Sequence, residues 1–355
     1  MQLRFCVPTL FGLEGLTADE LRRLAMADVS AENGRVFFNG TWEDAAKANL
    51  WLRTGERVLL VLGDFLARTF DELFESVKAL PLEDIIPKNG AFPVKGHSVR
   101  SRLMSIPDCQ KIIKKAAATR LGHAYGLNML PETGTLYQLQ FIILNDRCLL
   151  LLDTTGTALH KRGYRPAASE APIRETLAAA MVLLSRRRGD RPLCDPFCGS
   201  GTILIEAAML ASNRAPGALR HFAMEQFDNA DAQMFRRLRE ETLEVLTPFE
   251  GPITGSDMDP AAIALAKENA NRAGCSGQIA FTCAPFSREV LPDSGIIITN
   301  PPYGERLGTE VQARALYAQM GKVLAEGPNL GLYVITPDKE FERMFGKKAD
   351  KKRKL

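Results

Sequence analysis

Asp195-Pro196-Phe197-Cys198-Gly199-Ser200-Gly201-Thr202 stands where an apolar strand, residues 192–196, gives way to a helix, residues 202–211. Its two glycines let the backbone turn tightly and come close to a ligand, and the helix N-terminus behind them presents unpaired amides. Gly199 and Gly201 alone fit any strand-to-helix turn; the whole octet is far more specific. One strand further on, Gly255-Ser256-Asp257-Met258-Asp259-Pro260 closes on acids. A carboxylate at a strand end is where a ribose diol is held. Asp259, just before Pro260, suits a helix N-cap, which leaves the ribose to Asp257. Met258 beside it is placed to lie against an adenine face, although a buried methionine is the commoner case.

Outward from this stretch, strands at 252–257, 279–284, 295–299 and 330–336 alternate with helices at 260–273 and 311–325. That alternation predicts a parallel, doubly wound sheet. An opening helix is expected over 173–185, begun by Pro172 and turning Ile173, Leu177, Met181 and Leu184 to one face. Asn300-Pro301-Pro302-Tyr303-Gly304 follows the strand Gly295-Ile296-Ile297-Ile298-Thr299. A nucleobase amine is a poor nucleophile because its lone pair is delocalised into the ring. If the Asn300 side-chain oxygen and the Pro301 carbonyl accept its two hydrogens, the lone pair turns toward an electrophile. Pro301 and Pro302 fix the backbone so that this carbonyl points inward, and Tyr303 offers a stacking surface worth ~1–3 kcal/mol.

The front of the chain reads differently. Residues 4–8, 17–26, 34–38, 42–52 and 57–66 run strand, helix, strand, helix, strand, the order of a small ferredoxin-like α+β unit, and Thr17 with Glu20 has the form of a capping box. Next come a helix at 69–80, an extended stretch at 91–103, a helix at 107–121, and a hairpin of 135–144 with 147–153 closed at Asn145-Asp146. Positive charge gathers here: Lys95, Arg100, Arg102, Lys111, Lys114, Lys115 and Arg120. A charge run is usually a solvated face, but these residues precede a base-modifying motif, so contact with an RNA backbone is expected. Domains are expected at 1–66, 67–155 and 171–355, with a linker at 156–170.

Taken in this order, the motifs resemble the class I S-adenosylmethionine (SAM) methyltransferases that act on amino groups, and the wider chain resembles the THUMP-domain RNA methyltransferases of the RlmL and YpsC type. Ser98-Val99-Arg100-Ser101-Arg102-Leu103 and Ile106-Pro107-Asp108-Cys109-Gln110-Lys111 are similar to the THUMP part. Leu159-His160-Lys161-Arg162-Gly163-Tyr164-Arg165, Ala171-Pro172-Ile173-Arg174-Glu175-Thr176-Leu177-Ala178 and Asn300-Pro301-Pro302-Tyr303-Gly304-Glu305-Arg306 are similar to the catalytic part. The resemblance implies a Rossmann-like methyltransferase domain behind α+β ferredoxin-like and THUMP domains. It implies SAM as cofactor, with its methionine end beside Asp195, Gly199 and Gly201, its ribose on Asp257, and Phe197, Thr202 and Met258 also among the cofactor-binding residues. The site Asn300, Pro301, Pro302, Tyr303 then takes the target amine, guanine N2 in 23S rRNA or in a ribosome assembly intermediate. The same tetrad serves on tRNA guanine, on DNA adenine N6 and on protein glutamine, and a chain that only binds RNA as a scaffold is a further alternative. Two departures stand out. Phe281-Thr282-Cys283-Ala284-Pro285 offers no acid for the adenine amine, and the chain stops at Lys352-Arg353-Lys354-Leu355, where an incomplete closing hairpin and an unpaired sheet edge are expected.

Composition narrows the remaining classes. With 46% hydrophobic and 25% charged residues among 355, the chain is globular rather than disordered. A net charge of +3 permits a nucleic-acid partner without requiring one. No apolar run approaches the ~20 residues of a membrane helix, and the start lacks a secretion signal's apolar core, so a cytoplasmic protein is expected. The seven cysteines form no Cys-x-x-Cys pair, and His97, His123, His160 and His221 share no ligand spacing; free thiols and no metal are expected. The segment 211–250 reads as helical and polar, a cover for the cofactor or a contact for RNA.

Overall fold

The computed structural model describes residues 2–165, 173–187, 189–286, 292–302, 310–324 and 329–354. They fall into two compact units, Met1–Leu159 with His221–Arg239 and His160–Arg220 with Glu240–Leu355.

In the first unit the chain runs β1 (Leu3–Pro8), α1 (Glu14–Arg23), β2 (Ala27–Glu32), β3 (Arg35–Gly40), α2 (Trp42–Trp51), β4 (Leu59–Leu66), α3 (Phe70–Lys78), β5 (Val94–Val99), α4 (Ile106–Tyr125), β6 (Leu139–Leu144) and β7 (Arg147–Asp153). All seven strands form one sheet, in the order β2-β3-β1-β4-β7-β6-β5. The segments read as ferredoxin-like and THUMP therefore share a sheet, joined where β4 pairs antiparallel with β7. Period-two burial explains the inner face: Leu139, Phe141 and Ile143 of β6 are buried, while Gln140, Ile142 and Leu144 between them are only half-buried. Asn145 and Asp146 close the hairpin with φ of 51° and 64°, the left-handed pair a two-residue turn requires.

Two expectations fail here for identifiable reasons. Strand β2 was not foreseen, because no residue in it is buried and nothing alternates. The Thr17–Glu20 capping box does not form, since α1 begins at Glu14 and both side chains are spent on tertiary bonds. Thr17 shares its hydroxyl with Thr9 and Thr54 at 3.0 and 2.8 Å. Glu20 accepts from the backbone N–H groups of Arg53 and Thr54 at 2.9 and 3.0 Å, and burial pushes its carboxyl up. The segment read as polar, 211–250, also reads differently in the fold. Phe222, Met224, Phe227, Phe235 and Leu238 enter the core of the first unit, where Phe227 stacks on Tyr137 at 4.6 Å. Their irregular spacing hid them; only α7 (Ala232–Glu244) is an α-helix within it beyond the end of the preceding helix at Ala211.

The second unit contains α5 (Glu175–Leu184), β8 (Leu193–Asp195), α6 (Thr202–Ala211), β9 (Ile253–Asp257), α8 (Pro260–Arg272), β10 (Ala280–Cys283), β11 (Gly295–Thr299), α9 (Glu310–Leu324), β12 (Leu330–Val334) and α10 (Phe341–Phe345). The sheet is parallel throughout, in the order β10-β9-β8-β11-β12. Chain order reverses at β8, which has β9 on one side and β11 on the other, and such a switch point opens a crevice at the strands' carboxyl ends. Every residue of β11 is buried, as expected of a strand covered on both faces. Helix α5 departs from its expected stripe. Of Ile173, Leu177, Met181 and Leu184 only Met181 is buried, whereas Ala178, Ala179, Ala180 and Val182 are, because small side chains let the helix pack closely. Pro172, expected to open it, lies outside the described residues.

Candidate active site at the switch point

Asp195 ends β8 almost fully buried, at 1% exposure. Its Oδ1 accepts from the Thr299 hydroxyl at 2.7 Å and from the Phe197 N–H at 3.1 Å, so one carboxylate ties the glycine loop to the end of β11. The Phe197 ring stacks on Phe286 at 5.1 Å. Cys198 N–H donates to the Ser256 carbonyl at 2.9 Å, and Gly201 N–H to the Cys198 carbonyl at 2.8 Å. Gly199 and Gly201 have φ of 51° and 79°, conformations other residues resist. A Cβ on Gly201 would lie 3.1 Å from the Ala266 Cβ, while one on Gly199 would meet nothing within 4 Å. The loop thus packs against α8 at one glycine and stays open at the other.

Asp257, half-buried at the end of β9, accepts from Gly199 N–H and Asp259 N–H, both at 3.0 Å. Asp259 accepts from Ala261 N–H at 2.8 Å and caps α8, and Met258 is 76% exposed rather than buried. Burial, reinforced by the charges of Asp195 and Asp257, drives the Cys198 thiol far above its ordinary value, so it packs and does not attack. An open glycine, a helix N-terminus, a solvent-reaching carboxylate and an exposed methionine edge suit a nucleoside with a charged tail.

Asn300 follows β11 directly, half-buried, with Pro301 buried and Pro302 half-buried. The Pro302 carbonyl accepts from the Tyr317 hydroxyl of α9 at 3.5 Å, and Tyr317 meets Phe341 edge-on at 4.9 Å. Tyr303, with Gly304, Glu305 and Arg306, lies outside the described residues. The fold brings Asp195, Gly199, Gly201, Thr202, Asp257 and Asn300 to the carboxyl ends of three adjacent strands, β9, β8 and β11.

Sequence reasoning missed the supports beneath this edge. Arg162 donates to Glu206 on α6 at 3.4 and 3.5 Å, with side chains 2% and 0% exposed, and Tyr164 donates to the same carboxylate at 3.3 Å. Burial opposes the charge on Arg162, yet Glu206 holds its guanidinium above the ordinary value. Arg165 grips Glu175 in two-pronged fashion at 2.8 and 2.6 Å and reaches the Ile173 carbonyl and the Thr202 hydroxyl at 3.2 and 3.4 Å. Burial pushes Glu175 up against this partner. Arg162, Tyr164 and Arg165 fall in the quoted 159–165 signature, so the signal was present without an assigned role.

The basic residues of the first unit divide. Lys95 is exposed on β5, an edge strand of the sheet; Arg100, Arg102, Lys111 and Lys115 are exposed too. Arg102 lies 4.0 Å from Asp146 and Lys111 3.8 Å from Asp108, while Lys115 sits 5.8 Å above the Phe74 ring. Lys114 is half-buried and already engaged: it pairs with Glu132, donates to the Phe92 carbonyl at 3.2 Å and lies 3.5 Å over the Phe92 ring. Arg120 is likewise paired with Glu83. Among the described residues no His, Cys, Asp and Glu group could hold a metal ion, and no helix is long and apolar enough to cross a membrane.

The doubly wound sheet, its glycine loop and the acid one strand away define a Rossmann-like methyltransferase that uses SAM. Family models match residues 4–59 as an RlmL ferredoxin-like domain, 67–153 as a THUMP domain and 162–355 as an RMKL-like methyltransferase domain. The chain belongs to the THUMP-domain RNA methyltransferases. It is 42% identical to YpsC of Bacillus subtilis over 97% of this chain and 90% of that one. It is 33% identical to the ribosomal RNA large subunit methyltransferase K/L of Psychromonas ingrahamii, covering 98% of this chain and 48% of that enzyme, so it spans about half the K/L length. A structure from Listeria monocytogenes, described by prediction as an N6-adenine-specific DNA methylase, superposes over 100% of this chain and 94% of that one with a TM-score of 0.94 and 45% identity. SMU.472, solved with S-adenosylhomocysteine, covers the same shares with a TM-score of 0.93 and 40% identity.

Gly201→Ala is expected to weaken SAM binding by about tenfold or more, since the new methyl meets Ala266 in a left-handed backbone. Calorimetric titration checks it; an unchanged affinity would show that the loop tolerates the shift.

Proposed function

We propose that the chain methylates an exocyclic amine of an RNA base, guanine N2 of 23S rRNA in first place, with SAM held by Asp195, Phe197, Gly199, Gly201, Thr202, Asp257 and Met258. The observation that carries this reading is the 2.7 Å bond from Thr299 to Asp195, which fixes the residue before Asn300 to the glycine loop. Bound SAM supplies an electrophilic methyl on a sulfonium. Asn300 Oδ1 and the Pro301 carbonyl accept the two amine hydrogens and turn the lone pair outward, and Pro301 and Pro302 keep that carbonyl from rotating. With SAM bound there, the N–CH3 bond would form as the S–CH3 bond breaks, S-adenosylhomocysteine being the leaving group, and the methylated amine would pass its surplus proton to water. Such catalysis is mostly placement, and the base would leave its helix to reach the site at roughly a few kcal/mol. Tyr303 is assigned the stacking role.

The K/L relatives are named for large-subunit rRNA and YpsC for RNA, which supports RNA over DNA; the Listeria neighbour's description favours DNA adenine N6, and tRNA guanine stays in view because the tetrad serves there too. Incubation with methyl-labelled SAM and, separately, rRNA, tRNA and duplex DNA from cells lacking the protein decides among them. Label as N2-methylguanosine in 23S rRNA supports the proposal; label in DNA adenine overturns it.

RNA is expected to be held through Lys95, Arg100, Arg102, Lys111 and Lys115. Alanine at Lys95 should weaken binding evenly across sequences and flatten the log K against log salt slope by roughly 0.7–0.9, one phosphate contact. Lys114, included in the same patch from sequence, should instead lose thermal stability on replacement while the salt slope stays put, because its charge is already matched by Glu132. A slope unmoved by Lys95→Ala would remove this surface from the RNA path.

A further inference from the structure

We infer that Asn269 of α8 is a positioning residue for SAM, acting through the backbone of the glycine loop; the inference rests on the cofactor placement proposed above. Asn269 is fully buried in a helix face otherwise built of Ile263, Ala266 and Ala270, where an apolar side chain would pack without penalty. Its Nδ2 donates to the Ser200 carbonyl at 3.1 Å, and its buried Oδ1 has no hydrogen-bond partner among the described residues. A half-satisfied amide in a core is unfavourable, so the bond it does make is the reason a polar group fits there. Turning the amide over would set Oδ1 against the Ser200 carbonyl, oxygen against oxygen, which fixes the donor toward the loop.

What that bond controls follows from the peptide planes. Ser200 lies between two glycines in left-handed conformations, with φ of 51° and 79°, so side-chain sterics at its two neighbours resist rotation little. The Cys198–Gly199 peptide is held by its N–H on Asp257 at 3.0 Å. The Ser200–Gly201 peptide is held at both ends, its carbonyl by Asn269 and its N–H by the Cys198 carbonyl at 2.8 Å. With the planes on either side fixed, the direction of the Gly199–Ser200 peptide is set between them, and this is the peptide beside the open space at Gly199. Asn269 never touches the cofactor; it decides which way the loop's amides face when SAM arrives.

The test is calorimetric titration of the full chain with SAM, at a temperature where circular dichroism shows each variant folded. Asn269→Leu, with the same branched skeleton but without the donor, and Asn269→Asp, which sets a carboxylate against the Ser200 carbonyl, should each raise the SAM Kd about tenfold, the size expected for one buried hydrogen bond. On bulk RNA from cells lacking the protein, KM for SAM should rise while kcat at saturation stays within about twofold, the split a merely destabilised fold would not produce. Should Asn269→Leu fail to fold, the smaller Asn269→Ser decides. Asp257→Ala separates the two levels of failure: weakened binding there with a Kd within twofold of parent at 269 overturns this inference only, whereas no effect at Asp257 moves the ribose, and the cofactor, elsewhere.

Discussion

Asn300→Ala is expected to lower methyl transfer by roughly 10²–10³-fold or more, the loss seen when one preorganised polar group leaves a reacting centre, while the affinity for SAM stays near the parent value. The separation follows from position. Asn300 begins just past β11, and neither Asp195 nor Asp257 has a described hydrogen bond to its side chain. Removing it should therefore leave the glycine loop and its two carboxylates in place. The amine would lose the acceptor for one of its two hydrogens, keeping only the Pro301 carbonyl, and its lone pair would stay largely in the ring, so kcat falls and binding does not. Calorimetry with SAM beside single-turnover transfer reads both quantities. Parallel loss of both would make Asn300 a structural residue and leave the acceptor of the target amine unassigned.

The second large effect concerns stability. Glu206→Gln is expected to destabilise the second unit by about 3–5 kcal/mol, because it removes a buried carboxylate charge that pairs with the equally buried Arg162 guanidinium. At about 2–4 °C per kcal/mol for a domain of this size the unfolding midpoint should fall by roughly 6–20 °C. Both side chains are essentially inaccessible to water, at 2% and 0% exposure, so solvent cannot screen the loss. Replacing Arg162 and Glu206 together by methionine should recover most of it, since a buried pair exchanged for apolar groups is often neutral or better. Denaturant unfolding of the four members of this cycle checks both statements. A single Glu206→Gln loss under about 1 kcal/mol would mean the pair is held apart by water or strain.

Much of the second unit could be read from residues because local and global signals agree there. Residues 202–211 and 295–299 are helix and strand as expected. The first has two glycines before it, and the second is an unbroken apolar run bounded by a proline turn. The Asp259 cap was legible because a carboxylate before proline has a helix to cap, and Asp259 caps it. Legibility ended where a residue serves a partner distant in sequence. Thr17 and Glu20 have the spacing of a cap but bond to Thr54, 37 and 34 positions away. Lys114 reads as one more cation in a basic run until Glu132 and Phe92 close on it. Phe222, Met224 and Phe227 carry no period, and only the fold shows that they fill the core of the first unit. Asn269 and Glu206 sit inside ordinary helical patterns, and nothing one-dimensional marks either as a support of the site.

The account depends on SAM and the target amine meeting at the carboxyl ends of β9, β8 and β11. A crystal structure of the full chain with S-adenosylhomocysteine tests this most directly. It should show the ribose hydroxyls within hydrogen-bond distance of the Asp257 carboxylate, the homocysteine tail along Gly199 and Gly201, and the sulfur facing Asn300 Oδ1 across a gap the width of a flat base. A nucleoside seated elsewhere, or an Asn300 side chain turned away from that sulfur, would contradict it.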